Sequence, residues 1–171
     1  PDVRVLDSID VLDSTVEKAR AGGITMANLM SGSGHLLSGQ TAYLKLRDGK
    51  TIEDLAVRNE DGSMAGGIKM ANGTNSIRGS GGSPGTRGKS AALVRAQFIK
   101  AQRYREKMAK GGDDPPERDL AMEALVEVLQ GKLCITLAPA PNLGRRSPTP
   151  CTQVPDRQTS PILVLPRERA V

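Results

Sequence analysis

The chain changes character at residue 139, and that break caps how much of it can fold. Seven of its eleven prolines fall in residues 139–171, together with five arginines and no lysine, and no hydrophobic period of 2 or 3.6 survives there. A segment of this kind buries too little apolar surface to offset the entropy lost on ordering. Residues 139–171 are therefore expected to form a disordered Pro/Arg-rich tail, whose composition resembles an accidental reading frame more than an evolved linker. The fold is expected to lie within residues 1–138.

Within that stretch the hydrophobic pattern alternates between two periods. Ser14 and Glu17 have capping-box spacing and start a short helix that Gly22-Gly23 stops. Ile24–Met30 reads as a strand, left through the Ser31-Gly32-Ser33-Gly34 turn, and Thr41–Arg47 as a second strand closed by Asp48-Gly49. Thr51–Leu55 opens a turn or two of helix, and Gly66–Ala71 is a third, short strand entered through glycines.

Ser90–Lys110 contains no Gly or Pro and is the strongest helix signal, with Leu93, Ala96, Ile99, Lys100 and Tyr104 expected on its packed face. A second helix is expected from Pro116 to Gln130, with Glu117 and Asp119 at the positive end of its dipole, and Leu133–Leu137 reads as a final strand.

Strand and helix in alternation point to parallel βαβ units, the pieces of an α/β barrel or a doubly wound sheet. An eight-stranded barrel takes about 250 residues, so residues 1–138 could supply only part of the wall. The expected fold class is therefore α/β, a partial TIM-like (β/α) barrel followed by the disordered tail. Strands at the cut ends would leave open sheet edges, and self-association through them is expected.

Composition removes several function classes. With one Phe, two Tyr and no Trp the chain has almost no aromatic platform on which single-stranded bases could stack. The formal charge of +5 divides into +2 over residues 1–138 and +3 over the tail, so no single basic patch is expected. No nucleic-acid partner follows from this. No apolar run approaches the roughly 20 residues that span a bilayer, and no signal sequence opens the chain, so no membrane partner is expected and the location stays open between cytoplasm and periplasm. Cys134 and Cys151 fall one on each side of residue 139 and indicate neither a disulfide framework nor a zinc knuckle.

Two local patterns could carry chemistry. Gly82–Ser90 ends in Gly-Lys-Ser at the start of the long helix, but a phosphate loop needs its first glycine where Ser83 stands, and Pro84 removes a backbone donor. An ordinary helix entry accounts for the segment better than nucleotide binding. His35, the only histidine, lies in a polar loop at the carboxyl end of an expected strand, the catalytic end in α/β barrels. One histidine makes no catalytic pair, so no catalytic residue is assigned.

A series of segments nevertheless resembles one family in order. Ala21–Thr25, Gly32–Thr41, Leu44–Arg47, Gly67–Gly73 and Pro84–Arg87, with the helix through Tyr104, are similar to the amidohydrolases related to imidazolonepropionase, over about residues 1–132. The resemblance implies a TIM-like barrel enzyme in which zinc or another divalent metal activates water to hydrolyse an amide or cyclic amide C–N bond of a small molecule.

It also implies a His-x-His pair on the first barrel strand, which would fall before Pro1, and histidines on later strands. The strand from Leu133 offers Cys134-Ile135-Thr136-Leu137 instead. The expectation is therefore a fragment without the metal-binding histidines, inactive alone and holding no metal. The alternative is a non-catalytic barrel segment that assembles with another chain. By the same resemblance Lys69 is a candidate for a carboxylated lysine bridging two metals, unless it points into a polar barrel mouth or pairs with an acid. His35, Gln40, Asn72 and Arg87 are candidate substrate-binding positions, the last three in loops rimming a pocket.

Overall fold

The computed structural model describes residues 1–78, 81–111 and 116–138; the expected disorder of residues 139–171 lies outside them. The chain enters through a 3-10 turn at Val5–Ser8 and then helix α1, Ser14–Ala21. The cap of α1 is Asp13 and not Ser14. Asp13 accepts the Thr15 backbone N–H at 2.7 Å, and a carboxylate beside free N–H groups holds them more strongly than a hydroxyl does. At the other end Gly23, with φ +83°, turns the chain out while its N–H and that of Ile24 close on the Arg20 and Ala19 carbonyls.

Two small sheets follow. Strands β1 (Met26–Leu29) and β3 (Ala42–Lys45) form an antiparallel pair. Strands β2 (Leu37–Gln40), β4 (Gly67–Ala71) and β5 (Cys134–Ala138) form a second sheet in the order β2-β4-β5, with β2–β4 antiparallel and β4–β5 parallel.

The expected run of parallel units is thus reduced to one. Parallel pairing needs a crossover of a dozen residues or more, generally helical. Between β3 and β4 the only helix is the single turn α2 (Ile52–Leu55), whereas β4 and β5 are joined through α3 (Thr74–Ile77), α4 (Arg87–Lys110) and α5 (Leu120–Leu129). Among the described residues neither sheet closes on itself.

Strand β2 lies inside the segment expected to be a loop. Its polar Ser38-Gly39-Gln40 hides it from a hydrophobic pattern, and a register shift between Leu37 and Gly39 interrupts the pairing. Gly39 has φ +119°, and any Cβ there would collide with the Val3 carbonyl, so glycine is required where the N-terminal segment crosses. Thr41 passes the chain from one sheet to the other. Buried, it donates its N–H to the Gly67 carbonyl at 2.7 Å and accepts the Gly67 N–H on its hydroxyl at 3.0 Å.

The core is divided accordingly. Ala27, Leu29, Ala42, Leu44 and Leu55 pack around β1–β3 and α2, and Ala101, Met122 and Leu125 join α4 to α5. The short α2 forms because Thr51 and Asp54 complete a capping box, in which the Asp54 carboxylate takes the Thr51 N–H. Helix α5 begins at Leu120, four residues later than expected, because Asp119 accepts the N–H groups of Ala121 and Met122.

Along α4 the packed face differs from the expected one. Ser90 and Ala101 are buried and Val94, Gln97 and Tyr104 half-buried, a stripe at helical spacing, while Leu93 and Ile99 stand exposed. The stripe uses a serine and a glutamine, so hydrophobicity alone set the face one position off. The helix also carries eight basic residues against the single acid Glu106, and among the described residues none of the eight forms an ion pair. Cys134 is disulfide-bonded, against expectation.

Candidate functional site

Three segments meet where β2 begins: the turn Gly34–Leu37, the segment around α3 ending at Arg78, and the loop and first turns of α4. Between them lies a cleft of about 330 Å³ whose walls include His35, Leu36, Arg78, Pro84, Leu93 and Val94. Arg78 crosses the cleft to His35, 43 positions away in sequence. Its Nε and Nη2 both donate to the Gly34 carbonyl at 3.3 Å.

Nη2 also lies 3.2 Å from Nδ1 and 3.4 Å from Nε2 of His35. A nitrogen on the lone-pair axis of one ring nitrogen would sit far outside hydrogen-bonding range of the other. The guanidinium therefore lies against the face of the imidazole, and both ring nitrogens keep capacity for another partner.

Arg78 holds this position from a left-handed backbone, φ 51° and ψ 83°, uncommon for any residue but glycine. The turn is built locally. Ser76, buried, bonds the Gly73 carbonyl at 3.1 Å, and α3 ends after Ile77, whose carbonyl accepts the Gly85 N–H at 2.8 Å. No motif marked Arg78 in the sequence. The available signal was an arginine opening the glycine-rich stretch Gly79–Gly82, and its partner across the cleft was beyond any local pattern.

The other expected site residues are not gathered here. Gln40 is the last residue of β2 and not a loop residue, and its N–H bonds the Val3 carbonyl at 2.7 Å. Asn72 directly follows β4. Arg87 is the first residue of α4 and exposed. The Gly-Lys-Ser of residues 88–90 enters the helix with Thr86 as cap: its hydroxyl accepts the Lys89 N–H at 3.2 Å, while the Ser90 hydroxyl bonds the Thr86 carbonyl at 2.9 Å.

Lys69 lies in the middle of β4, between Gly39 on β2 and Thr136 on β5. It is 1% exposed, and its Nζ meets Met30 Sδ at 3.3 Å and the Ser31 carbonyl at 3.4 Å. No acid pairs with it among the described residues. Burial of the ammonium lowers its pKa below the ordinary lysine value. Asn28, on β1, is buried with its Oδ1 unbonded.

A divalent centre needs three or four ligands of His, Cys or carboxylate type. No three such residues come together among the described residues, and the groups around Lys69 are a thioether and a carbonyl. The described donor set does not fit a metal by itself, and no chemical step is derived through one.

No protein-family model matches the chain, and no curated protein does. Among solved structures it is similar to an amidohydrolase from Thermotoga maritima MSB8, at 33% sequence identity and a TM-score of 0.70. The likeness covers 80% of this chain and 36% of that protein. A mixed α/β segment with amidohydrolase likeness is thus the class that fold and comparison define.

Proposed function

We propose that the chain is a stretch of a metal-dependent amidohydrolase, of the imidazolonepropionase-related kind, whose complete relatives hydrolyse amide or cyclic amide C–N bonds. In this reading residues 1–138 form part of the wall of a (β/α) barrel, and the chain is inactive alone. The observation that carries it is the likeness at 33% identity over 80% of this chain to a protein of which it spans 36%. The β4–α3–α4–α5–β5 crossover, with its parallel pairing, is the kind of unit from which such a wall is built.

In complete relatives the metal would lower the pKa of a bound water and so supply the nucleophile. Here the described residues bring no such ligand set together, and Lys69 would need partners from elsewhere to serve as a carboxylated bridge. The purified chain, loaded with zinc and dialysed, is expected to retain less than one equivalent by elemental analysis. It should release no amine above background from a panel of amides and cyclic amides. Stoichiometric retained zinc together with turnover would overturn the reading.

A second reading, a barrel segment that assembles with another chain, is favoured by one observation. Strand β5 pairs on one side only among the described residues, and Ile135 and Leu137 on it are 36% and 43% exposed.

A further inference from the structure

We propose that the His35–Arg78 cleft binds a small organic carboxylate with an apolar body, the carboxylate on Arg78 and His35 and the body against Pro84, Leu93 and Val94. The inference goes beyond the hydrolase reading and rests on the cleft alone, whether or not a bond is broken there. The lining contains one guanidinium and no acid, and Arg78 has no ion pair among the described residues. Any anion entering meets an uncompensated positive charge.

That charge is held in place before a ligand arrives. Two bonds to the Gly34 carbonyl fix Nε and Nη2 at one end of the guanidinium, and the imidazole packs against Nη2. Nη1 keeps both of its hydrogens for the oxygens of a carboxylate. A ring nitrogen of His35 can take up a further polar group. The left-handed backbone at Arg78 is the kind of uncommon conformation found where a side chain is aimed at a ligand.

Size and lining select the ligand further. About 330 Å³ is at the small end of ligand pockets, and the walls beyond Arg78 are largely leucine, valine and proline. Among the side chains that line the cleft Arg78 is the one fixed cation, and it balances a monoanion. A phosphate dianion would be left half-neutralised beside apolar walls, which is costly.

The test is calorimetric titration of the full chain with 4-methylpentanoate, its neutral isostere 4-methylpentanamide, and inorganic phosphate. The carboxylate should bind at least about tenfold more tightly than either, and Arg78→Gln should lose at least about tenfold, as removal of a charge-assisted bond does. Leu93→Ser should weaken 4-methylpentanoate while leaving acetate unchanged. Equal binding of the amide, tighter binding of phosphate, an unaffected Arg78→Gln variant or no saturable carboxylate binding would each overturn the proposal. Should Arg78→Gln fail to fold, the carboxylate-to-amide ratio of the unaltered chain decides.

Discussion

Lys69 places an amine in the centre of the three-stranded sheet with only a thioether and a carbonyl for company. Its folded pKa lies below 10.5, so between the two values the unfolded chain binds the extra proton. Stability then rises with pH across that window and is flat below it. Lys69→Met should erase this alkaline rise. It should also stabilise the chain at neutral pH by on the order of 1 kcal/mol, roughly 2–4 °C in Tm for a domain of this size. Thermal melts from pH 7 to 11 check both, and a variant that melts lower with the slope intact would show that the amine has a partner that matters. Lysine at 69 could be singled out from sequence only through the family resemblance, because burial depends on strands far along the chain. His35 was legible as the sole histidine, while Arg78 was not, its role arising from a backbone turn and a contact 44 residues away at Gly34.

At the scale of elements, the parallel join of β4 to β5 depends on a glycine. Gly67 sits opposite Cys134, and a Cβ there would collide with the Cys134 carbonyl, backbone that cannot move cheaply. Gly67→Ala is expected to cost about 1–3 kcal/mol, as overpacking does, and to loosen β5 from the sheet. Denaturant melts read the first effect, and faster amide exchange at Ile135–Leu137 the second. Equal protection in both proteins would mean that the sheet accommodates the methyl group. Most elements were readable in the sequence within a few residues, because capping residues and glycines punctuate them: α1, β1, β3, α2, β4, α4, α5 and β5 all fall on expected segments. Strand β2 and helix α3 were not, since four-residue elements made of Ser, Gly, Gln, Thr and Asn carry no period. Pairing direction was misread for β1 and β3, expected in parallel units and found antiparallel, because it is set by which strand lies nearest in space and not by the composition of each.

For the whole molecule, an exposed apolar edge has a price in solution behaviour. With Ile135 and Leu137 open on β5, sedimentation over a concentration series should reveal reversible self-association. Leu137→Lys should weaken it at least about tenfold, since burying one leucine contributes about 1.5–3 kcal/mol. A monomer at every concentration would remove the association. That the described strands leave a sheet unclosed was foreseeable from length alone, whereas the two-sheet arrangement hinging at Thr41 was not.

The sheet order also bears on how quickly the chain can find its structure. Lys69 must meet Gly39 on one side and Thr136 on the other, so both pairings of the central strand close long stretches of chain. The contacts of α4 with α5 join neighbours in sequence and can form early. Loop closure grows in entropic cost only slowly with length, but it must be met before any ladder bond rewards it. The rate-limiting event in folding is therefore expected to be the docking of β5 beside β4, with the helical pair already assembled between them.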